Sequence, residues 1–183
     1  MTKKTALTLS GSLRKGSYNC ILQDHVGAQL EQAGVAVNAI SLADYDLPLF
    51  HPDDEAESTP RNAGALAEQL RSHDIVFITT PEYNGSMSPV LVNTITWLSR
   101  QKPSPFRHAV FGIGGVSTGK YGAIMALGHL RDSLTKLGTL VVPTLLGVGP
   151  ASAAFDVSGV PSEPAIQRKI EQIVVEMTQF SRG

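Results

Sequence analysis

Five short apolar runs, most of them followed by a segment of helical periodicity, constrain the fold of this chain more than any other feature. The runs lie at 5–10, 35–40, 75–80, 109–113 and 139–146, and the helical segments at 18–33, 61–72, 89–100, about 122–137 and 163–180. The third run, Ile75-Val-Phe-Ile-Thr-Thr80, is typical of a strand buried on both faces of a parallel sheet. This alternation predicts an α/β fold built from parallel βαβ units with right-handed crossovers.

A single domain spanning residues 1–183 is expected, because neither an internal repeat nor a change of composition divides the chain. Hydrophobic residues make up 42% of the sequence and charged residues 17%, which is the balance of a globular protein. The net charge of -1 gives no reason to expect nucleic acid or an anionic membrane as a partner. Since no signal peptide and no apolar run of membrane-spanning length is evident, we expect a cytoplasmic protein.

Three loops of unusual composition, at 10–19, 80–88 and 112–122, each follow a predicted strand. In an open parallel sheet, ligands bind outside the carboxyl ends of the strands. We therefore expect the three loops to open on one edge of the sheet and to form a single site there.

The first loop, Ser10-Gly-Ser-Leu-Arg-Lys-Gly-Ser-Tyr-Asn19, has the composition of a phosphate cradle. Its glycines let backbone N–H groups turn inward, and the start of the next helix adds a positive dipole end. Ser12, Ser17 and Asn19 supply further donors, and Arg14 supplies a fixed positive charge. The alternative interpretation is a capped turn with a solvated Arg-Lys pair.

The spacing within this loop excludes several phosphate-binding classes. Gly11 and Gly16 have the separation found in nucleotide triphosphatases, but Ser17 and Tyr18 stand where Lys and Ser/Thr are required. The three-glycine dinucleotide pattern and the acidic residues of a phosphoacceptor domain are missing, and Val26 stands where a Cys-x5-Arg phosphatase loop needs arginine. A mononucleotide with one phosphate and no metal remains, and FMN fits.

The second loop, Thr80-Pro-Glu-Tyr-Asn-Gly-Ser-Met-Ser-Pro89, has the composition of a binding surface for a flat heterocycle. Tyr83, the backbone amides and the short side chains suit the face and the polar edge of a flavin, which proteins tune through such contacts. The alternative is a Pro/Asn/Gly turn before a capped helix. Because Glu82 has no partner carboxylate or histidine in the loop, we expect it to hold the loop rather than to act as a catalytic acid.

Two motifs at the correct separation resemble the NADPH-dependent FMN reductase family, which includes bacterial quinone, chromate and azo-dye reductases. They are Gly11-Ser-Leu-Arg-Lys-Gly-Ser-Tyr-Asn19 and Pro81-Glu-Tyr-Asn84, supported by Asn93, Trp97-Leu-Ser-Arg100 and Leu130-Arg131. The resemblance covers essentially the whole chain. It implies a flavodoxin-like, doubly wound five-stranded parallel sheet of order 2-1-3-4-5, with helices on both faces.

The same resemblance implies a set of cofactor-binding residues. The phosphate of FMN is expected at Ser12, Arg14, Ser17 and Asn19, with Tyr18 beside them, and the isoalloxazine ring at Pro81, Glu82, Tyr83 and Asn84. The chain departs from the family after the second motif, where Val92 and Thr96 replace the Lys and Asp that the family often has. That departure bears on contacts between subunits and on the preferred electron acceptor.

The third loop, Gly112–Gly122, again brings backbone N–H groups to a turn between a strand and a helix. Donors there, including those around Gly115, would stabilise negative charge on a reduced flavin. Ser117 matches the flavin-contacting serine of the family. The alternative interpretation of this loop is a closely packed glycine turn.

The expected activity is transfer of a hydride from NADPH to noncovalently bound FMN, and then of electrons to a small-molecule acceptor. The acceptor is left open among a quinone, an azo compound, a metal oxyanion and free flavin. No catalytic side chain is expected, because the flavin carries the chemistry. Two alternatives are a flavodoxin-type electron carrier without nicotinamide reductase activity of its own, and a binding module that senses a phosphorylated ligand.

A homodimer is predicted from the helix that starts at Pro89. Apolar residues surround nearly all of it, more than the single stripe that a surface helix needs, so either Leu91 or Leu98 is expected to face outward. The resemblance implies the same, with a tetramer as the larger form. No metal site is expected, because the five histidines lack ligand spacing and Cys20 is the only cysteine.

Overall fold

The computed structural model describes residues 3–156 and 159–181. Its strands are β1 (Thr5–Ser10), β2 (Ala36–Ser41), β3 (Ile75–Thr79), β4 (Glu82–Tyr83), β5 (Ser86–Met87), β6 (Val110–Val116) and β7 (Leu140–Val148). Five of them form a parallel sheet in the order β2-β1-β3-β6-β7, and β4 and β5 form a small antiparallel hairpin. Counted within the large sheet alone, this is the order 2-1-3-4-5, so the predicted topology is confirmed.

Helices cover both faces of the sheet, as predicted. They are α1 (Tyr18–Gln32), α2 (Pro52–Glu57), α3 (Arg61–Arg71), α4 (Pro89–Ser99), α5 (Ile124–Lys136), α6 (Ala151–Ala154) and α7 (Pro164–Gln179). Apolar side chains of α1 and α7 pack on one face, and those of α3, α4 and α5 pack on the other. No helix within the described residues is both long enough and apolar enough to cross a membrane.

The two helices that begin beside the predicted site each have a serine as their N-cap residue. Ser17 precedes α1, and its hydroxyl accepts from the backbone N–H of Asn19 at 3.2 Å. Ser88 precedes α4 and accepts from the N–H of Leu91 at 3.4 Å, while Pro89 occupies the first turn, where its missing N–H costs nothing. Local sequence alone therefore fixes where both helices start.

Strand β6 contains three glycines that the sequence analysis assigned to a loop: Gly112, Gly114 and Gly115. The reason is close packing. A Cβ atom at Gly115 would lie 2.8 Å from the carbonyl oxygen of Thr80 and 2.9 Å from the Cβ of Ala123, well inside van der Waals contact. This part of the third loop is thus a closely packed strand end, and the loop itself begins after Val116.

The segment at 44–60 lies between the second apolar run and the helix predicted at 61–72. It contains α2, and the residues before that helix lie across α4. Asn93 on α4 accepts from the N–H of Phe50 at 2.8 Å and donates to the carbonyl of Pro48 at 2.9 Å. The Trp97 indole donates to the same carbonyl at 2.8 Å and packs edge-on against Phe50, so this side chain is buried beneath the segment.

Helix α4 is therefore covered by the sheet on one side and by the segment before α2 on another. The prediction that Leu91 or Leu98 faces outward is wrong. Neither Leu91 nor Leu98 faces outward, because they are 1% and 3% exposed. The apolar side chain of α4 that does reach the surface is Val92, at 42% exposure, and Leu49 lies beside it at 83%.

Replacing Gly115 by alanine should lower the free energy of unfolding by about 1–3 kcal/mol, since the added methyl group meets backbone that cannot move freely. The measurement is urea denaturation of the protein without cofactor. Gly128→Ala on α5 is the matched control: nothing lies within 4 Å of its added methyl group, and alanine favours the helix by about 0.5–1 kcal/mol. Equal effects at the two positions would contradict the packing argument.

Candidate functional site

A cavity of ≈ 210 Å³ lies at the carboxyl edge of the sheet, where β1, β3 and β6 end. All three loops contribute to it, and nine of the eleven residues predicted from the sequence line it: Ser12, Arg14, Ser17, Tyr18, Asn19, Pro81, Glu82, Tyr83 and Ser117. Asn84 lines a neighbouring cavity instead, and Gly115 is buried in β6. Sequence reasoning missed Val116, Thr118 and Ala151, whose small or ordinary side chains carry no local signal.

The first loop presents donors around the start of α1. The Ser17 hydroxyl accepts from the N–H of Asn19, which leaves its own hydrogen for a ligand. Arg14 makes one long hydrogen bond, 3.5 Å to the carbonyl of Lys15, and forms no ion pair with the described residues. Together with the positive end of α1, these groups suit a phosphate.

Asn19 also links the first loop to the end of β6. Its side-chain amide donates to the carbonyl of Val116 at 3.1 Å and accepts from the N–H of the same residue at 2.9 Å. Its own backbone carbonyl accepts from the hydroxyl of Thr79 at 2.9 Å. Because one amide hydrogen and the amide oxygen are used in this way, the side chain braces the first loop against the end of β6.

Glu82 holds the second loop, as expected from the sequence. One oxygen of its carboxylate accepts from the backbone N–H groups of Met125 and Ala126, at 3.0 and 3.1 Å. These are orphan donors in the first turn of α5, a helix whose own N-cap residue, Ala123, provides no side-chain hydrogen bond. The carboxylate therefore caps a helix far along the chain from its own position.

Several amides of the third loop are already paired. Asn19 takes the N–H of Val116, the carbonyl of Val148 takes the N–H of Ser117 at 3.2 Å, and the Ser117 hydroxyl takes the N–H of Ala123 at 3.0 Å. These N–H groups are thus used within the protein, in contrast to the open set of donors that the sequence suggested.

A second cavity of ≈ 600 Å³ adjoins the first, and Tyr83 lines both. Its walls come from the segment before α2, from the hairpin and from α4: Leu49, Phe50, Tyr83, Asn84, Ser86, Met87, Pro89, Val92, Asn93 and Thr96. No charged side chain of the described residues lines this second cavity. Its size and apolar character fit a small organic molecule.

Shifted pKa values lie away from both cavities. Burial raises the pKa of Asp24 and lowers the pKa of His25. A hydrogen bond from the backbone N–H of Thr5, 2.9 Å long, lowers the pKa of Asp74. Within residues 3–156 and 159–181, no group of three or more His, Cys, Asp or Glu side chains could hold a metal ion.

The residues present fit FMN. Serine hydroxyls, Arg14 and a helix start suit a single phosphate at one end of the cavity, and Pro81 and Tyr83 offer flat surface at the other. The cavity also lies where strand order reverses between β1 and β3, the position at which flavodoxin-like sheets bind this nucleotide. Fold and site together define an FMN-binding protein of the flavodoxin type.

Comparison with known proteins gives the family. The model of the NADPH-dependent FMN reductase family matches residues 5–152, and the chain belongs to this family. An NAD(P)H-dependent FMN reductase of Pseudomonas aeruginosa is 40% identical over 157 residues, covering 84% of this chain and 82% of that protein. A quinone reductase of Escherichia coli K12 is 39% identical over 149 residues, with 79% and 78% covered.

A solved structure agrees with these relatives. The flavoenzyme FerB, an NAD(P)H:(acceptor) oxidoreductase of Paracoccus denitrificans, superposes with a TM-score of 0.79 over 98% of this chain and 100% of FerB, at 25% identity. The chain is accordingly an oxidoreductase that uses FMN and a reduced nicotinamide. The expected class of enzyme and the expected cofactor are both confirmed.

Asn19→Ala should lower the free energy of unfolding by about 1–3 kcal/mol, because it leaves the buried N–H and carbonyl of Val116 without partners. Urea denaturation of the protein without cofactor measures this effect separately from ligand binding. Asn62→Ala is the control, since that side chain makes one hydrogen bond near the surface, 2.9 Å to the carbonyl of Asp46, and should cost less than about 1 kcal/mol. A loss no larger at Asn19 than at Asn62 would contradict the bracing role.

Proposed function

We propose that this enzyme passes electrons from NAD(P)H, through FMN held in the smaller cavity, to an uncharged planar acceptor of the quinone type in the adjoining apolar cavity. The observation that carries the proposal is that the two cavities share Tyr83 as a lining residue. A donor-lined space formed by three loops meets an apolar space, and Tyr83 forms part of both walls. We also propose a cytoplasmic location, because a reduced nicotinamide is a metabolite of the cell interior.

The phosphate end of FMN is proposed to lie against the first loop. Ser12, Arg14 and Ser17 line the cavity beside the start of α1, and the guanidinium carries the nearest permanent positive charge of that lining. Asn19 contributes by fixing the loop, since its amide is bonded to Val116. Pro81, Glu82, Tyr83 and Ser117 line the remainder of the cavity and are proposed to surround the ring.

The character of the second cavity favours a quinone or another aromatic acceptor over a metal oxyanion. An oxyanion is normally met by positive side chains, whereas the described lining residues of this cavity are apolar or neutral. The name of the Escherichia coli relative, quinone reductase, supports the same choice. In the overall reaction NAD(P)H loses two electrons and a proton, and the quinone gains two electrons and two protons, the second proton coming from water.

Arg14→Ala should weaken FMN binding at least tenfold and leave riboflavin binding nearly unchanged, because a hydrogen bond to a charged group contributes about 1.5–3 kcal/mol and riboflavin has no phosphate. Apo-protein titrated with each flavin gives both affinities, and NAD(P)H-dependent reduction of a quinone gives the activity at each flavin concentration. Lys15→Ala is the matched control, since Lys15 is an adjacent exposed cation outside the cavity lining.

Equal losses for FMN and riboflavin would show that Arg14 does not contact the phosphate. A wild-type protein that binds FMN but cannot transfer electrons from NAD(P)H to any quinone would overturn the proposed acceptor.

A homodimer is proposed to bury the rim of the second cavity. Leu49, Val92 and Tyr83 are exposed side chains on one side of the molecule, and all three line that cavity. Exposed apolar residues grouped beside a ligand cavity favour association. A second copy seated there would shield both the acceptor and the flavin from water.

Val92→Glu should convert the dimer to monomers, because it would bury a charge in the contact. Light scattering at micromolar concentration measures the mass of each protein. Val175→Glu is the control, since this valine of α7 has a similar exposure of 47% on the opposite face of the sheet. A wild-type protein that is monomeric, or a dimer that both substitutions disrupt equally, would contradict this interface.

A further inference from the structure

Helix α5 begins at the edge of the smaller cavity, in which FMN is proposed to bind and which is called the FMN cavity below. The residues that lead into it, Ser117 and Thr118, line that cavity. A helix of this length, 13 residues, carries roughly half a positive charge at its N-terminus. Such an end would attract a group that becomes more negative on reduction, as a flavin does when it takes up electrons.

The sequence of α5 does nothing to moderate that positive end. No acidic residue lies in its first turn, and its N-cap residue, Ala123, has no side-chain hydrogen bond to offer. The negative charge comes instead from Glu82, more than 40 residues earlier, whose carboxylate accepts from Met125 and Ala126. Glu82 also lines the FMN cavity.

This carboxylate has two separable effects. Its hydrogen bonds attach the hairpin of β4 and β5 to α5, and so hold Tyr83 at the junction of the two cavities. A second contact between hairpin and helix, 3.3 Å from Ser86 to His129, lies one turn further along. Its charge, meanwhile, opposes the helix end and disfavours additional negative charge nearby.

We propose that Glu82 is a positioning residue that fixes the ring-binding hairpin and, by neutralising the start of α5, lowers the reduction potential of bound FMN. The proposal rests on the proposed function, in which FMN occupies this cavity. A lower potential makes the reduced enzyme a stronger donor to its acceptor. Without this carboxylate, the positive helix end would stabilise reduced FMN and make it a weaker electron donor.

Glu82→Gln tests the charge alone, because the amide oxygen of glutamine can accept the same two hydrogen bonds. Oxidised FMN should bind with nearly unchanged affinity. Reduced FMN should bind about threefold to tenfold more tightly relative to the oxidised form, which corresponds to a potential about 15–30 mV higher for a two-electron couple. The measurement is an anaerobic reductive titration of the reconstituted protein against a dye of known potential.

Glu176→Gln is the matched control. This half-buried carboxylate likewise accepts from a backbone N–H and a hydroxyl, both of Thr144, but it joins α7 to β7 away from the cavities. It should leave the potential of bound FMN unchanged. A potential in Glu82→Gln equal to that of the wild type, or a shift matched by Glu176→Gln, would overturn the electrostatic role.

Glu82→Ala tests the attachment of the hairpin. It should weaken oxidised FMN and riboflavin by the same factor, about tenfold, because ring contacts are lost and phosphate contacts are kept. Unchanged affinity for both flavins would overturn the positioning role. Failure of the proposed function has a different signature, since it would abolish quinone reduction in the wild type and leave these differences in flavin affinity and potential in place.

Discussion

The two hydrogen bonds between the Asn19 amide and the backbone of Val116 are the contact on which the rest of the site depends. They are buried, so water cannot replace them when they break. Two further contacts complete the frame: Ser88 donates to the carbonyl of Gly11 at 2.6 Å, and Glu82 accepts from the start of α5. The first loop is therefore joined to the second loop and to the end of β6, and the second loop is joined to the start of α5.

The side chains of the site have two roles: some line the cavity, and others hold the loops together. Arg14, Ser12 and Ser17 line the cavity, whereas Ser88 is bonded within the protein. Asn19 and Glu82 belong to both groups, since both line the cavity, and Asn19 is bonded to Val116 while Glu82 caps a helix. In flavin enzymes generally, the protein supplies position and electrostatics, and the cofactor supplies the electron transfer.

Sequence periodicity was sufficient for the parallel βαβ alternation and for the principal helices, since apolar spacing and start signals such as Ser17 and Ser88 are local. The strand order came from the resemblance to the family. Nine of eleven predicted site residues line the cavity for the same reason: they follow strands whose ends meet. The contacts that could not be predicted from the sequence join residues that are far apart along the chain. The partner of Asn19 lies 97 residues away, Gly115 is required by the carbonyl of Thr80, and Trp97 is buried by a segment about 50 residues earlier.

The segment that crosses α4 has a consequence for how such an enzyme diversifies. Leu49 and Phe50 form a wall of the apolar cavity, yet they are held in place by side chains of α4 and belong to no strand of the sheet. Mutations or insertions in this connection can reshape the apolar cavity while leaving the first loop and the sheet intact. Under the proposed function, substrate range and cofactor binding would be free to evolve at different rates.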